Sequence, residues 1–389
     1  PYGSLASRTL GSLRADSNAA KNGLELSYDT ILRGKDGVSH SVKMRNRRVQ
    51  IIDTEAVDGH DLVSTIDVDI QDMAEKALVA KLKEPMVNGI LGMAIVMEVS
   101  TGEVKAIVNM HRGKDGNYYE MKNSAVSDLM EPGSTFKTAS MMLAMDDGHA
   151  TLNTTVDCCG GIYPMHGRNM KDHNWHRGGY GVLTFSQILE QSSNIGVSRI
   201  IDEAYKDNPQ RYVDGLRRLG IGIPLNLPFV GKGEPVIPQP NSKIRYWSKS
   251  DLPWMSIGYV TQQPVISTLT FYNGVANEGC MVAPRLVDRI ERGGEVIEEM
   301  PVVTLVDKMC SRRTLDVLDE CLRAAATPER SSYKFRDLPF NVGCKTGTAQ
   351  TSSNTSNNAV FVSFAPLDDP EIVVACVLER GANGYNASW

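Results

Sequence analysis

Three short motifs fall in one order along the chain, and each demands a particular local structure. Glu131-Pro132-Gly133-Ser134-Thr135-Phe136-Lys137 contains an S-x-x-K, Ser192-Ser193-Asn194 is an S-x-N, and Gly343-Cys344-Lys345-Thr346-Gly347-Thr348-Ala349-Gln350 contains a K-T-G-T. An S-x-x-K alone is common by chance. The ordered set is not, and it requires a helix start, a polar turn and a strand edge in one molecule.

Pro132-Gly133 is a turn pair, and the stretch Phe136 to Met145 is apolar and rich in helix formers, so the spacing places Ser134 in the first turn of a helix. Residues three apart on a helix are neighbours, with Cβ atoms about 5–6 Å apart, so Lys137 lies beside Ser134. A serine hydroxyl becomes a good nucleophile when a neighbour takes its proton. A lysine can do so only as a neutral amine, which burial or a nearby positive charge provides. The plainer reading of S-x-x-K by itself is a capped helix with a solvated lysine.

Asn358 to Ala365 and Ile372 to Leu378 are two apolar runs joined by the Pro/Asp-rich 366–371, which reads as a hairpin. The K-T-G-T segment is then a strand beside it. Gly347 removes a side chain where something approaches the backbone, and a strand edge can pair with an extended substrate. Lys345, Thr346 and Thr348 offer one positive charge and two hydroxyls. Thr184 to Gly196 reads as a helix ending in a polar loop, with a second helix over 197–205. Ser192 supplies a hydroxyl able to relay a proton, and Asn194 an amide able to hold a lysine and a carbonyl. Either motif alone is equally a solvated edge lysine or a capping pair.

With the motifs in place, the chain resembles the class B penicillin-binding proteins of the FtsI, or division, type. Gly23-Leu24-Glu25-Leu26-Ser27-Tyr28-Asp29-Thr30-Ile31-Leu32-Arg33-Gly34, Asp61 to Asp67 followed by Gln71, Ile257 to Pro264 and Val275 to Gly279 extend the likeness over nearly the whole sequence. The stretch Met93 to Asn109 resembles Bacteroidetes-type members. The resemblance implies a peptidoglycan D,D-transpeptidase without a cofactor or metal, acting at division on a D-Ala-D-Ala donor stem peptide and an acceptor amine, and acylated by β-lactams. It implies Ser134 as nucleophile, Lys137 as its base, and Ser192 and Asn194 as the second catalytic element. Lys345, Thr346, Gly347 and Thr348 would bind substrate, and the backbone N–H groups of Ser134 and Thr348 would form the oxyanion hole. It further implies a SEDS-family glycosyltransferase and divisome proteins as partners. It implies a position on the periplasmic face of the inner membrane, held by an N-terminal transmembrane helix outside this chain. The sequence departs from the family in having no lysine close after Asn194. It also ends at Tyr385-Asn386-Ala387-Ser388-Trp389, where the family continues into a closing helix.

Composition narrows the alternatives. With 389 residues the chain is ample for a large core. A formal net charge of -5 provides no basic field for nucleic acid. No run of 18 apolar residues is present. The seven cysteines, Cys158, Cys159, Cys280, Cys310, Cys321, Cys344 and Cys376, form no even framework. Cys344 and Cys376 fall on expected strands of one sheet, as small core residues. The segment Leu152 to Gly181 gathers Cys158, Cys159, His166, His173 and His176, but at no zinc-finger spacing, and reads as an ordered loop beside the cleft.

The expected organisation is an N-terminal pedestal remnant over 1–58 and a transpeptidase domain over 59–389, lacking its final helix. Short β-prone runs mark 38–42 and 48–52. Asp67 to Lys83 reads as an amphipathic helix with Ile70, Met73, Ala74, Ala77, Leu78 and Leu82 on its core face. Gly92 to Val99 and Val104 to Met110 read as a hairpin. Strands at both ends of the domain with helices between predict an α+β fold, an antiparallel sheet covered by helices on its faces. Two other functions compete: a serine β-lactamase, which needs a base for the deacylating water, and a non-catalytic β-lactam sensor or scaffold, which would not need an intact S-x-x-K.

Overall fold

The computed structural model describes residues 4–17, 19–45, 47–325, 338–350 and 357–380. The chain end at Tyr385 to Trp389 lies outside them. At the centre is a six-stranded antiparallel sheet in the order Gly343–Gln350, Asn357–Ala365, Ile372–Glu379, Leu91–Glu98, Val104–Arg112, Tyr118–Tyr119. The two predicted hairpins thus join along one seam, with Val374 opposite Val96 and Cys376 opposite Ala94. Their apolar runs are continuous because both faces of the sheet are covered. On one face Met93, Ile95, Val360 and Val362 meet the helices Lys137–Asp146 and Val265–Ala276 in the main core. On the other, Ala94, Cys344, Ala359 and Phe361 pack with Leu78 and Leu82 of the helix Val68–Leu82. This is the predicted α+β arrangement, and Gly343–Gln350 is its edge strand.

The helix Val68–Leu82 starts where Asp67 accepts the N–H groups of Asp69 and Ile70. Its buried face differs from the predicted stripe. Met73 is 69% exposed and Ala77 is also on the surface. Gln71 takes the inner position instead, because its amide exchanges two hydrogen bonds with the backbone of Ile107, at 2.7 and 3.0 Å. A polar side chain that completes a strand's backbone bonding can displace an apolar one from the core face.

At the N-terminus, Val38–Met44 and Arg47–Thr54 pair as an exposed hairpin. The segment ahead of it docks on the body. Leu24 belongs to the main core, and Ser7 and Arg8 donate to the Glu120 carboxylate. Among the described residues no helix is long and apolar enough to cross a membrane, and all seven cysteines are free thiols.

Candidate active site

Ser134 sits in a 3-10 turn, Gly133–Phe136, from which the α-helix Lys137–Asp146 continues. The predicted first α-turn is therefore tighter, because Gly133 enters it with φ +56°. Residues three apart eclipse in a 3-10 turn, and the Lys137 N–H closes this one on the Ser134 carbonyl. The helix behind is fixed by burial: Met141, Met142, Leu143 and Ala144 are wholly inside. Each of the larger side chains contributes about 1.5–3 kcal/mol of apolar burial. Tyr272 donates to the Thr135 carbonyl at 2.8 Å and takes a bond from the Thr138 hydroxyl at 2.7 Å. The Ser134 turn is thus held from below by the central helix.

Two other glycines let the chain close around this turn. A Cβ on Gly347 would lie 3.1 Å from Thr135 Cγ2 and 3.2 Å from the Pro132 carbonyl oxygen, so the edge strand lies directly against the Ser134 turn. Gly258, at φ +86°, would place a Cβ only 2.0 Å from the Gly133 carbonyl oxygen. The Gly133 N–H donates to the Gly258 carbonyl at 3.1 Å. Nearby, Glu131 accepts the N–H of Val260 at 2.9 Å. That bond holds a β-branched residue at φ +69°, a conformation rarely tolerated without such support. The stretch 257–263 is therefore a buttress for the turn. We expect Gly258→Ala to lower stability by about 2–3 kcal/mol. A displacement of the turn by about 1 Å would slow Ser134 acylation by about 10²-fold. Melting and stopped-flow labelling with a fluorescent penicillin read both effects, and a variant matching the parent in both would refute the buttress.

Lys137, Ser192 and Lys345, far apart in sequence, converge on one oxygen. Lys137 Nζ donates to the Ser192 carbonyl at 2.6 Å and to Ser192 Oγ at 3.2 Å. Lys345 Nζ donates to the same Oγ at 2.9 Å and to the Thr346 carbonyl at 2.9 Å. Both lysines are buried, at 0% and 2% exposure. Burial and the neighbouring Lys345 ammonium hold Lys137 well below the ordinary lysine pKa, while the Asp172 carboxylate pulls the other way. Burial brings Lys345 down to about 8. Lys137 bonds to Ser192 rather than to Ser134 in this structure. Ser192 itself adopts φ +53°, and that left-handed turn aims its carbonyl and hydroxyl at the two lysines.

Asn194 begins the helix Asn194–Tyr205, three residues earlier than predicted. Its Nδ2 donates one hydrogen bond to the Lys171 carbonyl at 2.7 Å. On the edge strand, Lys345 and Gly347 lie opposite Val362 and Val360, on the main-core face. Thr346 and Thr348 lie opposite Phe361 and Ala359, on the other face. The Lys345 side chain and the two threonine hydroxyls thus lie on opposite faces of the edge strand.

Asp172 is a residue that motif reading overlooked. It is 1% exposed and anchors the S-x-N turn through Ser193, the motif's variable position. No spacing signal marks it, because it lies in an irregular loop twenty residues upstream. The cysteines and histidines of that loop go to separate partners. Cys158 Sγ lies 3.3 Å from Ser193 Oγ, His166 pairs with Asp202 at 2.9 Å, and His173 meets the Tyr180 hydroxyl at 3.1 Å. Among the described residues no group of three His, Cys, Asp or Glu side chains is placed to hold a metal.

Residues 92–388 match the penicillin-binding protein transpeptidase domain family. The penicillin-binding protein PbpB of Mycolicibacterium smegmatis is 28% identical over 425 residues, covering 100% of this chain and 62% of the relative. The probable peptidoglycan D,D-transpeptidase PbpC of Pseudomonas aeruginosa is 26% identical over 393 residues, covering 97% and 65%. The chain thus spans just under two thirds of these relatives' length. Among solved structures, penicillin-binding protein 3 of Mycobacterium tuberculosis superposes with a TM-score of 0.80 at 25% identity, over 99% of this chain and 86% of that one. The same protein complexed with aztreonam also gives 0.80 at 25% identity, over 98% and 84%. The chain belongs to the penicillin-binding protein transpeptidase family.

Proposed function

We propose that this transpeptidase domain cross-links peptidoglycan stem peptides through an acyl-enzyme on Ser134 and is the covalent target of β-lactams. The observation that carries the proposal is the meeting of Lys137 and Lys345 at Ser192 Oγ. A neutral Lys137 amine has two N–H groups, and both are used on Ser192. Its remaining lone pair is available for the Ser134 proton. Ser192 Oγ accepts from both lysines, so its own proton is left to point outward, toward a departing amine. The same constellation thus supplies a base for attack and an acid for the leaving group.

In this reading Ser134 Oγ attacks the carbonyl between the two D-alanines and Lys137 takes its proton. The backbone N–H groups of Ser134 and Thr348 stabilise the oxyanion, a role in which one donor is worth roughly 10²–10³ in rate. The terminal D-alanine leaves with a proton relayed by Ser192, while Lys345, Thr346 and Thr348 hold its carboxylate and Asn194 the donor peptide. An acceptor amine then resolves the acyl-enzyme. Residues 1–58 act as the remnant of a pedestal and 59–389 as the catalytic domain. In the cell the domain works on the periplasmic face of the inner membrane, with a SEDS-family glycosyltransferase and divisome proteins. The names of the relatives support the cross-linking reading, since one is named a probable peptidoglycan D,D-transpeptidase and another a peptidoglycan D,D-transpeptidase.

A β-lactamase requires a base to activate the deacylating water. The carboxylates nearest the motifs all have partners: Glu131 holds Val260, Asp146 takes the Ser311 N–H, Asp147 pairs with Arg218, Asp172 holds the S-x-N turn, and Glu190 is engaged as well. We therefore expect one penicillin adduct on Ser134 that persists for minutes to hours, with nitrocefin turnover near zero. Intact-mass analysis over time measures it. Steady multiple turnover in protein free of contaminating lactamase would overturn the transpeptidase reading in favour of hydrolysis.

A further inference from the structure

We propose that Asp172 is a positioning residue of the acylation step: it clamps the S-x-N turn so that Ser192 meets both lysines. The inference rests on the reading of Ser134 and Lys137 given above. Asp172 Oδ1 accepts the N–H groups of Asn194 and Ile195, at 2.6 and 3.1 Å. The Ser193 hydroxyl donates to its two oxygens at 3.0 and 2.9 Å. That hydroxyl in turn accepts the Gly196 N–H at 2.9 Å and caps the helix. Its single proton is committed to Asp172, and the Cys158 thiol lies 3.3 Å away, with the Val156 carbonyl on its other side at 3.8 Å. Burial, the first of several influences, pushes that thiol up to about 11, so it keeps its proton.

A buried carboxylate carrying this many donors is a stiff anchor. What it anchors is the residue pair flanking Ser193. Ser192 stands in the left-handed region, where a non-glycine residue persists only when its surroundings over-determine it. Asn194 is tied down on the other side. Releasing Ser193 would let Ser192 relax, and the Ser192 carbonyl and hydroxyl are the groups that orient Lys137 and Lys345. Charge adds a second effect. The charged or titratable groups facing Lys137 are Lys345 from the edge strand, and Asp172 and His173 from the loop after the strand Arg168–Lys171. Of these only Asp172 is negative, and it favours the lysine ammonium. Its removal lowers the Lys137 pKa, so a neutral base becomes available at lower pH.

Asp172→Asn keeps the shape and one acceptor oxygen but removes the charge. Ser193→Ala removes the hydroxyl link and keeps the charge. The readouts are the penicillin acylation rate of Ser134 across pH and the hydrogen exchange of the Asn194 and Ile195 amides. For Asp172→Asn we expect a plateau rate about 10²-fold lower, an acid limb moved down by about one pH unit and faster exchange. For Ser193→Ala we expect a slower plateau with the limb unmoved. An Asp172→Asn protein that melts like the parent yet keeps the parent plateau, limb or amide protection would overturn the proposal. Absence of any Ser134 adduct in the parent is a separate failure, that of the transpeptidase reading, and the exchange measurement would still test the clamp.

Discussion

Ser134→Ala should fold like the parent and form no penicillin adduct. Ser134 is half-buried, and the turn that carries it is closed by backbone, from the Lys137 N–H to the Ser134 carbonyl. Its support comes from Gly258, Tyr272 and the buried helix behind, none of which uses the serine hydroxyl. Substitutions away from such features usually stay within about 0.5 kcal/mol of the parent. Without Oγ there is no atom to carry the acyl bond, so labelling should fall to zero rather than by a factor. Intact-mass analysis after exposure to penicillin, alongside a melting curve, checks both halves. A covalent adduct on the Ala variant would show that the nucleophile lies elsewhere.

The parts of this site that were legible in the sequence are those where chemistry dictates residue type at short range. Three residues from Ser134 to Lys137 put two groups on one side of any helical turn. Gly347 marked a strand that something must approach closely, and the Pro132 carbonyl and Thr135 now account for it. The two apolar hairpins were legible because their runs are bounded by turn residues, and both formed. What stayed hidden is long-range. Nothing near Asp172 announces that it clamps Ser193, because the partners lie 21 residues apart, with the strand Val182–Thr184 and the helix Phe185–Glu190 between them. Gly258 and Glu131 belong to a buttress visible only once 257–263 lies against 130–133. Met73 and Ala77 were misplaced for a related reason. Helical spacing cannot foresee that Gln71 would turn inward to complete a strand's hydrogen bonds. The position assigned as a spacer in S-x-N, Ser193, proved wholly buried, so the motif's variable letter carries part of its structure.

Lys137→Met tests the base without hollowing the core. The side chain is 0% exposed, so truncation to alanine would leave a cavity, whereas methionine fills a similar volume. Burying an amine without full solvation is unfavourable, and the Lys345 ammonium adds repulsion whenever Lys137 is charged. Relief of both is offset by the bonds lost at the Ser192 carbonyl and hydroxyl, so melting should stay near the parent's. Acylation should fall by about 10²–10⁴-fold, the usual contribution of a general base. The pH dependence of the parent carries the same argument. As the proposed base, Lys137 would work only when neutral, and its pKa is held down chiefly by burial, so the acid limb of the acylation profile is expected to report its deprotonation well below the ordinary lysine range. In its proposed role Lys345 would have to be an ammonium to hold a carboxylate, and burial, which brings its pKa down to about 8, would set the alkaline limb. Activity should thus rise as Lys137 loses its proton and decline above pH of about 8 as Lys345 loses its own. The methionine variant should lose the acid limb and keep the alkaline one. A variant acylated at the parent rate, or one that retains both limbs, would remove Lys137 from the role of base.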